Sequence, residues 1–156
     1  MFQDIGQHSL LQTLPARSFA TLMELYESNY IQLRRLAPEL HRMEGSFVSR
    51  VADGADLHLQ IIEQTPYTTS VALTHYFSRP EPWPSQPDLR VRIYHDARAG
   101  EVMPDSEVEH FDLWGGRRPE PKSLEWRWGL NRFLNRWLQY CLSEGHGFTP
   151  VGAHTG

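Results

Sequence analysis

Residues 57–77 read LHLQIIEQTPYTTSVALTHYF, and this stretch decides the fold class. Apolar and polar side chains alternate over 57–63 and again over 68–77, which is the period of a β-strand with one buried face. Pro66, in the segment between them, suits the second position of a β-turn. The stretch therefore predicts an antiparallel hairpin with one apolar face and one polar face.

Further strands extend this hairpin into a sheet. Residues 89–95 alternate in the same way, and shorter strands are predicted at 47–51, 101–103 and 108–113. The strand at 89–95 directs Leu89, Val91 and Ile93 to one face and Arg90, Arg92 and Tyr94 to the other, with His95 on the side opposite Arg92 and Tyr94. The proline-rich segment 79–87 is predicted to be a stiff extended loop, because proline has no N–H to donate within a central strand.

Two amphipathic helices flank the strands. The first begins at Ser18 or at Thr21, both good N-caps, and ends before Pro38; the second covers about 123–144 and stops at Gly145. Their apolar stripes contain Phe19, Leu22, Tyr26, Tyr30, Leu33 and Leu36 in the first helix, and Trp126, Leu130, Phe133, Leu134, Trp137, Leu138 and Cys141 in the second. These stripes need an apolar surface to cover. The sequence thus predicts an α+β fold, an antiparallel sheet with N- and C-terminal helices packed on one face.

The chain has the size of one domain, with 156 residues of which 40% are hydrophobic. We predict a loosely ordered arm over 1–15, a single domain over 16–147 and a tail over 148–156. The net charge of −4 argues against bulk nucleic-acid binding, which relies on many uncompensated basic side chains. No apolar run approaches the length of a membrane span, and we expect no secretory signal.

The single cysteine, Cys141, excludes an intramolecular disulfide and fits a reducing compartment. It lies on the apolar stripe of the second helix, so we expect it to be buried and unreactive. No phosphate-binding glycine loop, dinucleotide fingerprint or nucleophile elbow occurs, and no cofactor is expected. The eight histidines show none of the usual metal-ligand spacings, so no metal is expected, although residues distant in sequence, such as His95, Asp96 and His110, remain an alternative.

The candidate catalytic residues are His95 and Asp96, at the end of a predicted strand. An imidazole beside a carboxylate can act as a general acid or base near neutral pH, and Arg92 could hold an anion nearby. The structural alternative is that Asp96 caps the turn and Arg92 pairs with an acid on a neighbouring strand, either Glu63 or Glu101.

The candidate ligand-binding residues lie on the polar sheet face, which the two helices would leave open. They are Arg90, Arg92, Tyr94, Tyr76 and His58. Interleaved arginine and tyrosine side chains can neutralise and stack on a planar anion. The same composition also describes an ordinary solvated face.

Several segments resemble the uncharacterised proteobacterial YqiB-like family, a domain of unknown function. The resemblance runs from about Leu22 to Gly145. It rests on Asn29 with the segment 32–36, on Glu63 with 67–69, on 91–97 with Glu101-Val102, and on Asn131, Phe133-Leu134, Trp137-Leu138 and 140–142. It implies a bacterial cytoplasmic protein and brings no catalytic residue with it.

The sequence therefore favours a non-enzymatic binding or regulatory module whose open sheet face takes an anionic ligand or a protein partner. The alternative is a small phosphoester or nucleotide hydrolase that uses His95 and Asp96, with Arg92 holding the anion. A third hypothesis is a homodimer that buries the polar sheet face.

Overall fold

The structure is a computed structural model that describes residues 18–76, 88–104, 106 and 113–149. Its elements are helix α1 (Phe19–Leu36), a single 3-10 turn (Leu40–Arg42), strands β1 (Ser46–Ser49), β2 (Asp56–Gln64), β3 (Thr68–Tyr76), β4 (Asp88–Tyr94) and β5 (Ala99–Val102), and helix α2 (Leu124–Ser143). The predicted arm at 1–15, the proline-rich loop at 79–87 and nearly all of the predicted strand at 108–113 lie outside the described residues.

The five strands form one sheet in the order β1-β2-β3-β4-β5, and every neighbouring pair is antiparallel. One face is apolar and buried, with Leu57, Leu59, Val71, Leu73, Leu89, Val91, Ile93 and Val102 in the same core as the apolar sides of both helices. The predicted fold class is confirmed: a five-stranded antiparallel sheet with the N- and C-terminal helices packed on one face.

Local signals in the sequence set the helix ends. The Ser18 hydroxyl accepts the Thr21 N–H at 3.2 Å, so the earlier of the two predicted starts is used. The second helix is capped in the same way by Ser123, and Gly145 follows it with φ +94°, a conformation that suits glycine. Phe19 departs from the predicted stripe: it is 66% exposed, because it occupies the first helical position, ahead of the point where α1 meets the core at Leu22.

A network of three buried asparagines fixes the two helices to the edge strand β5. Asn131 accepts the Val102 N–H at 2.9 Å, and Asn29 donates to the Gly100 carbonyl at 3.2 Å and to Asn131 at 3.3 Å. Asn135 completes the network by donating to Asn29 at 3.0 Å. Because these buried amides have partners, the network specifies the helix–sheet register at little desolvation cost.

The core extends beyond the predicted end of the domain at residue 147. Phe148 is fully buried, and its N–H donates to the Leu36 carbonyl at 2.7 Å. The chain after α2 therefore returns to the end of α1. The periodicity of α2 carried no signal for this contact, because Phe148 lies in an irregular segment.

Cys141 is completely buried, and burial raises the pKa of its thiol to about 12. We expect a thiol reagent at neutral pH to label the folded protein at least about 100-fold more slowly than the denatured protein, because only the exposed thiolate reacts. The measurement is stopped-flow labelling with and without denaturant. Equal rates in both states would contradict the burial.

Candidate functional site

The five predicted ligand-binding residues all belong to the outer sheet face, but they are spread along it rather than gathered at one point. Tyr76 and His58 pack edge to face with ring centroids 4.7 Å apart. Arg92 pairs with Ser70 of β3, which lies six residues before Tyr76 along that strand. Since a strand rises by about 3.4 Å per residue, Arg92 lies roughly 20 Å from Tyr76 along the sheet, and Arg90, opposite Ala72, lies roughly 14 Å from it.

Acidic residues balance the basic end of this face. Strand register places Glu101 directly opposite Arg92, and Arg92 donates to Ser70 at 3.2 Å. Burial, followed by the Glu101 carboxylate, raises the pKa of Tyr94 above its ordinary value. The register thus favours Glu101 of the two acids proposed as partners of Arg92. Arg90 is exposed on the same face.

The two candidate catalytic residues point in different directions. His95 turns toward the helix side of the sheet, as strand alternation predicts, and its Nε2 lies 2.7 Å from the hydroxyl of the buried Thr69. Asp96 is exposed in the turn after β4. Within the described part of the chain, His95 and Asp96 form no ion pair.

A β-bulge in β2 determines which side chains lie near His95. Ile61 pairs with Val71 and Glu63 pairs with Ser70, so Ile62 is an extra residue. The extra residue reverses the alternation and brings Gln64 to the helix side, opposite Thr69. There the Thr69 hydroxyl donates to Gln64 Oε1.

The Gln64 amide connects this end of the sheet to the chain after α1. Its Nε2 donates to the carbonyl of Leu40 at 3.0 Å and to that of Met43 at 2.9 Å. The bulge, the 3-10 turn and the end of β4 are therefore joined by side-chain hydrogen bonds at one edge of the core.

Arg34, in the last turn of α1, supplies positive charge at the same place. Its Nη1 donates to the Tyr30 hydroxyl at 2.9 Å, and the guanidinium lies over the Tyr30 ring at 5.8 Å. Among the described residues, no acidic side chain forms an ion pair with Arg34. The nearby Glu39 is instead bound by Arg42, through both Nε and Nη2.

Two buried polar atoms in this cluster have no hydrogen-bond partner within the part of the chain that the structure describes: Arg34 Nε and His95 Nδ1. Leaving a buried polar atom unpaired costs about 1–3 kcal/mol, so such atoms are rare in folded proteins. The exposed His41 lies beside them, with its ring edge-on to that of His95 at 6.2 Å. We call Arg34, His41, Gln64, Thr69 and His95 the strand-end cluster.

Electrostatics in the strand-end cluster favours a neutral His95. Burial, then the neighbouring charges of His41 and Arg34, lower its pKa below the ordinary histidine value, and Asp96 acts in the opposite direction. Among the described residues, the cluster thus combines a histidine whose pKa is lowered with an arginine that forms no ion pair.

Sequence reasoning identified only one member of the strand-end cluster, His95. Arg34 and Thr69 stand in segments that carry the family resemblance, but no role was assigned to them. The available signal was a basic residue in the last turn of α1 together with a polar pair, Gln64 and Thr69, on either side of the hairpin turn. Neither pattern shows by itself that α1 ends beside the hairpin.

A second pair of histidines, His75 and His146, lies near the opposite end of β3, and both rings form hydrogen bonds. The Trp137 Nε1–H donates to His75 Nδ1 at 3.0 Å, and the His75 and His146 rings are 5.2 Å apart. His146 Nδ1 lies 2.8 Å from the Ser49 hydroxyl, which in turn accepts the Gly147 N–H at 3.1 Å. This serine and histidine are both buried, and their bonds attach the chain after α2 to β1.

Comparison of the sequence with known proteins identifies a family. The family model described as "Protein of unknown function (DUF1249)" matches residues 32–147. The chain belongs to that family. It is 37% identical over 137 residues to the "Uncharacterized protein YqiB" of Escherichia coli strain K12, a match that covers 85% of this chain and 94% of that protein. The proteins of the same name from E. coli O6:H1 and O157:H7 match equally well.

The predicted YqiB-like membership is confirmed, and it carries no activity with it. No solved structure matches the chain. Among the described residues, no helix is long and apolar enough to cross a membrane. The same residues contain no group of three or more potential metal ligands. His110, of the metal alternative, lies outside them.

Proposed function

We propose that this protein is a cytoplasmic binding module that holds a small oxyanion in the strand-end cluster, between Arg34 and His95. The observation that carries the proposal is the pair of buried polar atoms, Arg34 Nε and His95 Nδ1, that lack partners among the described residues. An anion oxygen bound by a guanidinium N–H gains a charge-assisted hydrogen bond and neutralises the unpaired charge. We expect the exposed His41, whose ring lies edge-on to that of His95 at 6.2 Å, to move when the ligand enters.

The outer sheet face, with Arg90, Arg92 and Tyr94, is the competing location. Arg90 is exposed there and Arg92 and Tyr94 are half-buried, but the strand register places the acidic Glu101 opposite Arg92. Arg92 thus has an acidic neighbour, whereas no described acidic side chain forms an ion pair with Arg34, and this difference favours the strand-end cluster as the anion site. The outer sheet face then remains a surface for a protein partner or a second copy of the chain.

We expect inorganic phosphate to bind saturably to the wild-type protein in isothermal titration calorimetry. Arg34→Gln should weaken this binding by about 10- to 100-fold, the value of a charge-assisted hydrogen bond. Arg34→Lys should recover only part of the affinity, because it keeps the charge and loses the Nε–H. The matched control is Arg90→Gln on the sheet face, which should bind as the wild type does.

Folding of each variant is checked by its cooperative thermal melt. Binding that survives Arg34→Gln and disappears in Arg90→Gln would move the anion to the sheet face. A protein that binds neither phosphate nor glycolate at any accessible concentration would overturn the proposal.

A phosphoester hydrolase is the second candidate function. The observation in its favour is that His95 Nδ1 is buried beside Arg34 and can accept a proton. The exposed Asp96 does not support it, since among the described residues it forms no ion pair with His95 that would orient the ring. Steady release of nitrophenol from p-nitrophenyl phosphate, abolished by His95→Ala with phosphate binding retained, would establish the hydrolase instead of the binding module.

A further inference from the structure

Hydrogen bonding around Gln64 determines which atom of His95 carries a hydrogen. Gln64 places one side-chain end against the carbonyls of Leu40 and Met43. A carbonyl only accepts, so the amino group of Gln64 must face these two oxygens. Its other end, Oε1, is therefore an acceptor directed at Thr69.

The Thr69 hydroxyl has one hydrogen, and it is given to Gln64 Oε1. Toward His95 the same hydroxyl can then act only as an acceptor, across the 2.7 Å contact to Nε2. His95 Nε2 must carry the hydrogen of the neutral ring. It follows that Nδ1, which has no hydrogen-bond partner among the described residues, presents a lone pair rather than an N–H.

We infer that the strand-end cluster selects an oxyanion that carries a hydroxyl hydrogen of its own. This inference rests on the proposed anion site. One ligand oxygen accepts from Arg34 Nε–H, and the ligand hydroxyl donates to His95 Nδ1. An anion of equal charge and shape that has no hydrogen would place an oxygen lone pair against the lone pair of His95 Nδ1. Hydrogen phosphate and 2-hydroxy carboxylates share the required chemistry.

The charged and titratable groups around the imidazole determine the pH range of this selectivity. They are Arg34 on α1, His41 on the 3-10 turn and Asp96 after β4. Burial and the two basic groups lower the pKa of His95, so the ring is neutral at about pH 8. As the pH falls and the ring protonates, Nδ1 becomes a donor and the selectivity should decline.

Hydrogen phosphate and sulfate provide the matched comparison, because at about pH 8 both are tetrahedral dianions and they differ by one hydrogen. We expect calorimetry to give at least about tenfold tighter binding of phosphate than of sulfate, the cost of one buried mismatch. Glycolate and acetate provide the second pair, and they distinguish a hydroxy carboxylate from a phosphoryl ligand. Sulfate affinity should rise as the pH is lowered.

The deciding variant is Thr69→Val, which removes the hydroxyl that fixes the hydrogen on Nε2. His95 can then place its hydrogen on Nδ1, and the sulfate affinity at about pH 8 should approach that of phosphate. Nitrogen-15 NMR of the wild-type ring, assigned with His95→Gln, tests the tautomer directly and does not depend on whether Thr69→Val folds. We expect Nε2 to be protonated and Nδ1 not.

Equal affinity within both ligand pairs, or a hydrogen on Nδ1 of the neutral ring, would overturn the inference and leave the anion site standing. Phosphate binding weakened by about 10- to 100-fold in Arg34→Gln, with the selectivity intact in Arg90→Gln, would support the site and the inference together. Failure of phosphate and of glycolate to bind the wild type would remove the site itself.

Discussion

Replacing Trp137 with alanine should lower the free energy of unfolding by about 3–5 kcal/mol, the range for removal of a large buried aromatic side chain. Trp137 is completely buried and lies against Phe133, with ring centroids 6.1 Å apart. Its indole N–H is also the donor to His75. The variant therefore loses packing and leaves a buried acceptor unpaired.

Chemical denaturation monitored by circular dichroism measures this effect, and Trp137→Phe separates its two parts. The phenyl ring keeps most of the packing but cannot donate to His75, so we expect a smaller loss, of about 1–3 kcal/mol. Met23→Ala, on the exposed side of α1 at 38% exposure, serves as the control and should change stability little. A Trp137→Ala midpoint close to that of the wild type would show that the core does not depend on this ring.

Acidification should destabilise the protein because His75 is buried in its neutral form. Burial and the neighbouring His146 lower the pKa of His75 from 6.5 to about 4. Between these two values the unfolded chain takes up a proton that the folded protein does not. Stability is therefore full above pH 6.5 and falls as the pH decreases toward 4, by about 3 kcal/mol for this residue.

The measurement is a series of urea denaturation curves from about pH 7.5 to about pH 4.5. His75→Gln can still accept from Trp137 and has no proton to gain, so its curve should fall less steeply with pH than that of the wild type. His146, whose pKa burial also lowers, adds to the remaining slope. Met23→Ala, which changes no titratable group, should leave the slope unchanged. An identical slope in His75→Gln would contradict the assignment.

Much of the fold follows from periodicity. Alternation of side chains over β2, β3 and β4 predicted which residues face the helices, and the burial of Leu57, Val71 and Ile93 agrees. Serine at both helix starts and Gly145 after α2 fixed the helix ends, because capping depends on neighbours within a few residues.

Less of the candidate site could be predicted from the sequence. Strand alternation correctly predicted that His95 lies on the side opposite Arg92 and Tyr94. It did not predict which residues His95 contacts. Thr69 and His95 are 26 residues apart, and Gln64 is 24 residues from Leu40. Contacts over such separations depend on how elements pack, and periodicity reports only which side of each element is apolar.

Short-range patterns were sufficient to predict the two helices, the five described strands, the two faces of the sheet and the resemblance to the family. The strand-end cluster depends instead on how these elements pack together. The bulge at Ile62 is the clearest case: one extra residue changes the side of the sheet on which Gln64 lies. A strand accommodates such an extra residue when the residues that follow it gain hydrogen bonds. Here Gln64 gains bonds to Thr69 and to the chain after α1.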